Sequence, residues 1–119
     1  MKIIWNDISE APKTEFMLNE NELFTLLVIA SDGLYLNYWQ QNISKSSSGQ
    51  SIDFYTPPKC TDKTSDHCTL LVYSQNGEIL PSILFVTKPN ADLARSRFNP
   101  KDIVMSLNYE FGEICTSQI

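Results

Sequence analysis

The block Thr25-Leu26-Leu27-Val28-Ile29-Ala30-Ser31-Asp32-Gly33 returns in altered form as Thr69-Leu70-Leu71-Val72-Tyr73-Ser74-Gln75-Asn76-Gly77. Each copy is an apolar run that ends in Asp-Gly or Asn-Gly, dipeptides that tolerate the positive φ angles of a two-residue type I′ turn. The repeat therefore predicts two β-hairpins, the first pairing residues 23–30 with 34–40 and the second pairing 68–74 with 79–87. Residues 23–30 are apolar on both faces, the pattern of an interior strand covered on two sides. Pro81 has no N–H for a ladder, which places its strand at an edge or beside a bulge. A Pro-Lys pair precedes each copy, at Pro12-Lys13 and Pro58-Lys59.

The remaining segments fill in the architecture. Residues 3–8 read as a short strand, and Thr14 is placed to cap a brief helix through Glu15-Phe16-Met17-Leu18. Residues 42–67 read mostly as a long loop, mobile or binding, interrupted by a short edge strand at Ile52-Asp53-Phe54-Tyr55. Asn90 is an N-cap for a helix over 90–98 that Asn99-Pro100 stops. Over 103–111, Ile103, Met105, Leu107, Tyr109 and Phe111 alternate with polar residues, as on a half-exposed strand. With 119 residues, 42% of them hydrophobic, the chain suits one α+β domain. It is expected to be dominated by an antiparallel sheet of two β-hairpins plus a C-terminal strand, with one or two short helices.

Net charge is −5, and the acid gathers at the ends. Residues 1–44 hold Asp7, Glu10, Glu15, Glu20, Glu22 and Asp32 against Lys2 and Lys13. Nucleic-acid binding needs clustered cations to displace phosphate counterions, and only Arg95, Arg97 and Lys101 lie close together. A basic protein partner suits this distribution, with no direct contact to nucleic acid. No run reaches the roughly 18 apolar residues of a membrane span, and Asn6-Asp7 ends the apolar start too early for a signal peptide. Three cysteines without scaffold spacing fit reduced thiols, and the expected location is the cytoplasm.

Few residues suggest chemistry. Cys60, Asp62, Asp66, His67 and Cys68 are the one cluster of metal-ligand types, but adjacent His67 and Cys68 would point to opposite faces of a strand, and the spacing matches no zinc knuckle. A polar loop entering a strand with a buried thiol explains the same residues, so no metal is expected. The four glycines are isolated, which removes phosphate-cradling loops, and no cofactor is expected. No serine or cysteine sits in a nucleophile signature, and the expectation is a protein that is not an enzyme. Tyr35 and Trp39 share one face of their strand by period two. Either they form an exposed aromatic patch beside the acidic region, or they cover a second layer. In the first arrangement Glu10, Glu15, Glu20 and Glu22 steer a basic partner while Tyr35 and Trp39 anchor it.

The segment Trp5-Asn6-Asp7-Ile8-Ser9-Glu10-Ala11-Pro12-Lys13, followed by Thr25-Leu26-Leu27-Val28, Asp32-Gly33 and Tyr38-Trp39, resembles the N-terminal half of small phage and prophage proteins with a Trp-x-x-Ile-x-x-Ala-Pro-Lys start. The chain departs from that pattern at Thr14-Glu15, where the group has Asp-Gly, and lacks the group's Trp-Pro-containing C-terminal end. The resemblance implies a mobile-element origin and carries no catalytic residue. Together these readings point to a small acidic protein that binds and neutralises another protein, foremost an immunity protein against a nuclease-type bacterial toxin. The alternatives are a phage anti-defence inhibitor of the anti-CRISPR kind, and a small-molecule-binding protein.

Overall fold

The two copies of the repeat lie side by side in the middle of one antiparallel sheet. The computed structural model describes residues 1–16, 22–30, 33–53, 55–57 and 67–110. Its strands are β1 (Lys2–Ile4), β2 (Lys13–Glu15), β3 (Phe24–Ala30), β4 (Leu36–Ile43), β5 (Gln50–Asp53), β6 (His67–Ser74) and β7 (Ile103–Glu110), with a helix α1 (Ala91–Ser96) and a 3-10 turn at Pro100–Asp102. The five-stranded sheet has the order β5-β4-β3-β6-β7, and β1-β2 form a separate two-stranded ribbon. All pairings are antiparallel, so the fold is mostly β with little helix.

The register of β3 on β6 makes the repeat visible as symmetry. Leu27 faces Leu71, Leu26 faces Val72, Val28 faces Leu70, Thr25 faces Tyr73 and Ile29 faces Thr69. Each position of one copy thus meets its mirror position in the other, and a local two-fold axis passes between Leu27 and Leu71. β4 outside β3 and β7 outside β6 obey the same relation.

Both faces of the sheet are buried, as the apolar run of β3 requires. One face carries Phe24, Leu26, Val28, Tyr38, Ile43, Cys68, Leu70 and Val72 and is covered by the ribbon with its buried Trp5. The other carries Leu27, Ile29, Leu36, Trp39, Leu71 and Tyr73 and is covered by Ile83, Phe85, Ala91, Ala94 and Phe98.

Several sequence expectations change here. The first hairpin exists, but Ala30 N donates to Tyr35 O across a four-residue connection and Gly33 N donates to Ala30 O, so the turn is longer than two residues. Gly33 keeps its positive φ of 74°, while Asp32 lies outside the described residues. The second turn takes the expected form: Asn76 (φ 52°) and Gly77 (φ 79°) are both left-handed, and Glu78 N donates to Gln75 O at 3.0 Å. Its second strand is absent, because residues 78–90 leave the turn away from the sheet ladder and cross the second face instead. β6 takes β3 and β7 as neighbours, and pairing along both edges, to β3 buried on both faces and to half-buried β7, outweighs a local hairpin with a Pro81-bearing strand. The expected helix at 14–18 is a strand in its described part, since Thr14 pairs with Ile3 and Glu15 with Lys2, while Met17 and Leu18 lie outside the described residues. The first strand is shorter than expected, ending at Ile4 before the Asp7-Ser9 turn.

The stretch expected as a long loop begins instead with the end of β4 and a tight turn in which Ser44 and Ser47 exchange backbone hydrogen bonds; the short edge strand expected at 52–55 is β5, at the sheet edge but starting two residues earlier, with Phe54 outside the described residues. Gly49 fits there because its φ is 77° and a Cβ would overlap the carbonyl oxygen of Gln41. Residues 58–66, with Cys60, Asp62 and Asp66, lie outside the described residues. The helix agrees with its reading: Asn90 accepts from Leu93 N at 2.7 Å as N-cap. β7 also alternates as read from 103 to 110, with Ile103, Met105, Leu107 and Tyr109 half-buried and the residues between exposed, while Phe111 lies outside the described residues.

Candidate functional site

The ribbon is fastened to the sheet by aromatic edges. Trp5 packs edge-on against Tyr109 (5.0 Å between ring centroids) and Tyr55 (6.3 Å), and Tyr55 meets Tyr38 at 5.9 Å. Trp5 Nε1 donates to Glu10 O at 2.9 Å, and the Tyr55 hydroxyl donates to Ile8 O, so both rings hold the connection between β1 and β2. Asp7 closes that connection by accepting from Ser9 N (2.9 Å) and Ser9 Oγ (2.7 Å), which holds its carboxyl below the usual range and keeps it charged.

Between this ribbon and the β4–β5 turn opens a cleft of about 800 Å³. One wall runs from Glu10 to Phe16, the other from Ser44 to Ser48, and Tyr38 and Gln40 lie between. Tyr38 Oη and Ser51 Oγ stand 3.0 Å apart, and Gln40 Nε2 donates to Ser48 O, which ties the second wall to the sheet. Glu10 and Glu15 both line the cleft, with Lys13 and Lys45. Neither glutamate, nor exposed Glu22, makes an ion pair with a described residue.

The predicted partner-binding residues are thus divided. Glu10 and Glu15 come together, Glu22 is exposed just before β3, and Glu20 lies outside the described residues. Tyr35 is 43% exposed, next to Leu34 and under Lys88 Nζ at 4.8 Å from its ring centre. It precedes β4, whose Tyr38 and Gln40 lie between the cleft walls, and stands at the end of that strand away from the Ser44–Ser48 wall. Trp39 is fully buried. This corrects its reading as a surface anchor: Phe85 and Phe98 pack on its ring at 5.7 and 6.1 Å, the second-layer arrangement. The shared face of Tyr35 and Trp39 fails because β4 holds an extra residue opposite the step from Val28 to Ile29, which puts Leu36 and Trp39 on one side.

Sequence reasoning passed over a buried polar cluster at the other bulge of β4. Asn42, with a φ of 59°, accepts from Leu80 N (2.8 Å) and Gln75 Nε2 (2.9 Å) through Oδ1 and donates to Leu80 O (2.9 Å). Gln75 Oε1 accepts from Thr25 Oγ1 and Asn42 N, and Gln41 Nε2 donates to Pro81 O. These amides fix the segment that covers Trp39. Only the Gln-Asn pair before Ile43 and the position of Gln75 before Asn-Gly hint at them in the sequence.

Cys68 is buried and His67 beside it is exposed, so the two neighbours point apart on β6. Among the described residues no group of three or more metal-ligating side chains converges, and no helix is long and apolar enough to cross a membrane.

Burial raises the hydroxyls of Tyr55, Tyr73 and Tyr109 above the usual tyrosine value, and the nearby Cys68 thiolate adds to the effect at Tyr55. An unfolded tyrosine titrates near about 10, so the folded state binds these protons more tightly. Their stabilising effect is complete below that pH and is lost as pH rises toward the folded values. Urea midpoints are expected to stay level from about pH 8 to 9 and to fall above about pH 10, with a shallower fall in Tyr55→Phe.

In comparisons with known proteins the chain matches no family model, no curated protein and no solved structure.

Proposed function

We propose that this chain is a binding protein that occupies and neutralises a basic protein partner, with immunity against a nuclease-type toxin as the leading form. The observation that carries the reading is the unpaired acid of the N-terminal part: Glu10 and Glu15 face the cleft, together with Lys13 and Lys45, without an ion pair to any described residue, and Asp7 and Glu22 are exposed. Carboxylates left without internal counter-ions project a negative field that raises the encounter rate with a cationic surface. A nuclease must be cationic where it holds phosphates, so the part of it that needs blocking is the part this field attracts. The reduced cysteines expected from the sequence suit work in the cytoplasm.

The same surface serves a phage anti-defence inhibitor that blocks a nucleic-acid-binding effector, the reading favoured by the phage-like N-terminal pattern. Gene order separates the two. A position just downstream of a secreted toxin supports immunity, and a prophage operon supports anti-defence. The cleft volume also lies within the range of small-molecule sites, which supports the remaining alternative.

The test uses charge. Immobilised protein is expected to retain from source-cell lysate a basic protein that salt releases. The variant with Glu10, Glu15, Glu20 and Glu22 all changed to lysine is expected to associate with it about tenfold more slowly or worse at low salt. Equal association by the variant, or retention only of neutral and acidic proteins, rejects the reading.

A further inference from the structure

We infer that residues 79–87 form a strand-addition surface whose occupant is the same segment of a second copy, joined antiparallel across a two-fold axis. Four observations carry this. First, burial alternates with the period of a strand: Ile83 and Phe85 pack inward on the Trp39 side of the sheet, while Leu84 and Val86 are 97% and 103% exposed. Second, no backbone N–H or C=O of residues 82–87 is hydrogen-bonded to any described part of the chain. A run of main-chain donors and acceptors beside two bare apolar side chains is what an added strand would satisfy.

Third, the segment is held in place without a ladder. Gln41 Nε2 holds Pro81 O, Ser82 Oγ donates to Gln50 Oε1 at 2.8 Å, and Lys88 Nζ donates to Thr56 Oγ1 at 2.9 Å. A strand arriving there loses little in ordering its template, since both ends are already fixed.

Fourth, the charges select the occupant. Glu78 and Lys88 bracket nine residues, 79–87, that carry no charge. An antiparallel copy with Ile83 opposite Ile83 brings each Lys88 to the other copy's Glu78, and sets Leu84 beside Ser82 and Val86 beside Leu80. In that register the outward side chains of the two copies share a face, as directly opposed antiparallel residues must. A parallel arrangement would put like charges together. The surface lies on the opposite face of the sheet from the cleft, so the pairing does not rest on the partner-binding reading and leaves both clefts free.

Sedimentation velocity on the full chain tests the inference. Wild type is expected to dimerise with a midpoint at or below about 100 μM, and L84D/V86D to remain monomeric throughout, with an unchanged far-UV circular dichroism spectrum because both side chains are fully exposed. Glu78→Lys is expected to weaken the dimer about threefold, and the swap Glu78→Lys/Lys88→Glu to restore it. Amides of Ser82 and Leu84, the pair that leaves Pro81 off the shared edge, should gain hydrogen-exchange protection as concentration rises. A wild type that stays monomeric across the range overturns the inference. So does a dimer that survives L84D/V86D, or one that leaves those amides unprotected.

Discussion

Trp39→Ala is expected to cost about 3–5 kcal/mol, enough to unfold most of a protein of ordinary stability. The ring is fully buried and forms the contact between β4 and the covering segment, where Phe85 and Phe98 meet it. Deleting it opens a cavity between two layers that are otherwise joined through Ile83, Ala91, Ala94 and the stack of Phe98 on Tyr73. Trp39→Phe separates ring packing from the indole nitrogen. Trp39 Nε1 is buried without a hydrogen-bond partner among the described residues, so phenylalanine keeps much of the contact and removes an unsatisfied donor, and it is expected to cost roughly half as much. Urea unfolding of both variants measures the difference. If Trp39→Ala leaves the midpoint unchanged, the second face is not a core.

Why this tryptophan is misplaced by sequence reasoning is specific. Alternation identifies faces only while the ladder is regular, and β4 has one register shift opposite Val28 and Ile29 and another opposite Phe24 and Leu26. Each extra residue exchanges inward and outward positions for everything beyond it. In β7 the pairing is regular from His67 to Val72, and there the alternation predicts the half-buried residues correctly. The Asn76-Gly77 turn is legible for the same local reason, since its dihedrals depend on two residues alone. The path of the chain beyond Gly77 is not legible, because the choice between a local strand partner and β7 is decided by residues about 30 positions away. The candidate site is partly legible. Glu10 and Glu15 stand out by charge, but their meeting with Ser44 and Lys45 depends on the ribbon docking through Trp5, which spacing does not encode.

Asn42→Ala is expected to lose about 3 kcal/mol, large for a half-exposed position. Alanine removes the amide that bonds Leu80 N, Leu80 O and Gln75 Nε2, and it must also hold a φ of 59° without a side chain suited to it. Asn42→Gly relieves the backbone and still loses the bonds, so it is expected to be about 1 kcal/mol milder. The gap between the two variants measures the conformational part, and the remainder measures the clamp. Faster amide exchange at Leu80 in both would show that the covering segment has come loose. Equal stability of wild type and alanine variant would reject the clamp.

The local two-fold at Leu27 and Leu71 hides a kinetic inequality. β3 and β4 are joined by a few residues and can zip together within microseconds, whereas β6 reaches β3 only after the chain from 31 to 66 closes, and β7 reaches β6 only after 75–102. Geometrically equivalent strands therefore assemble in a fixed sequence, and the half that closes last governs the folding rate. During that delay the outer edge of β6, with Leu70 and Val72 not yet covered, is the most adhesive surface on the chain. Refolding yield should thus depend on protein concentration more steeply than the stability of the finished fold would suggest.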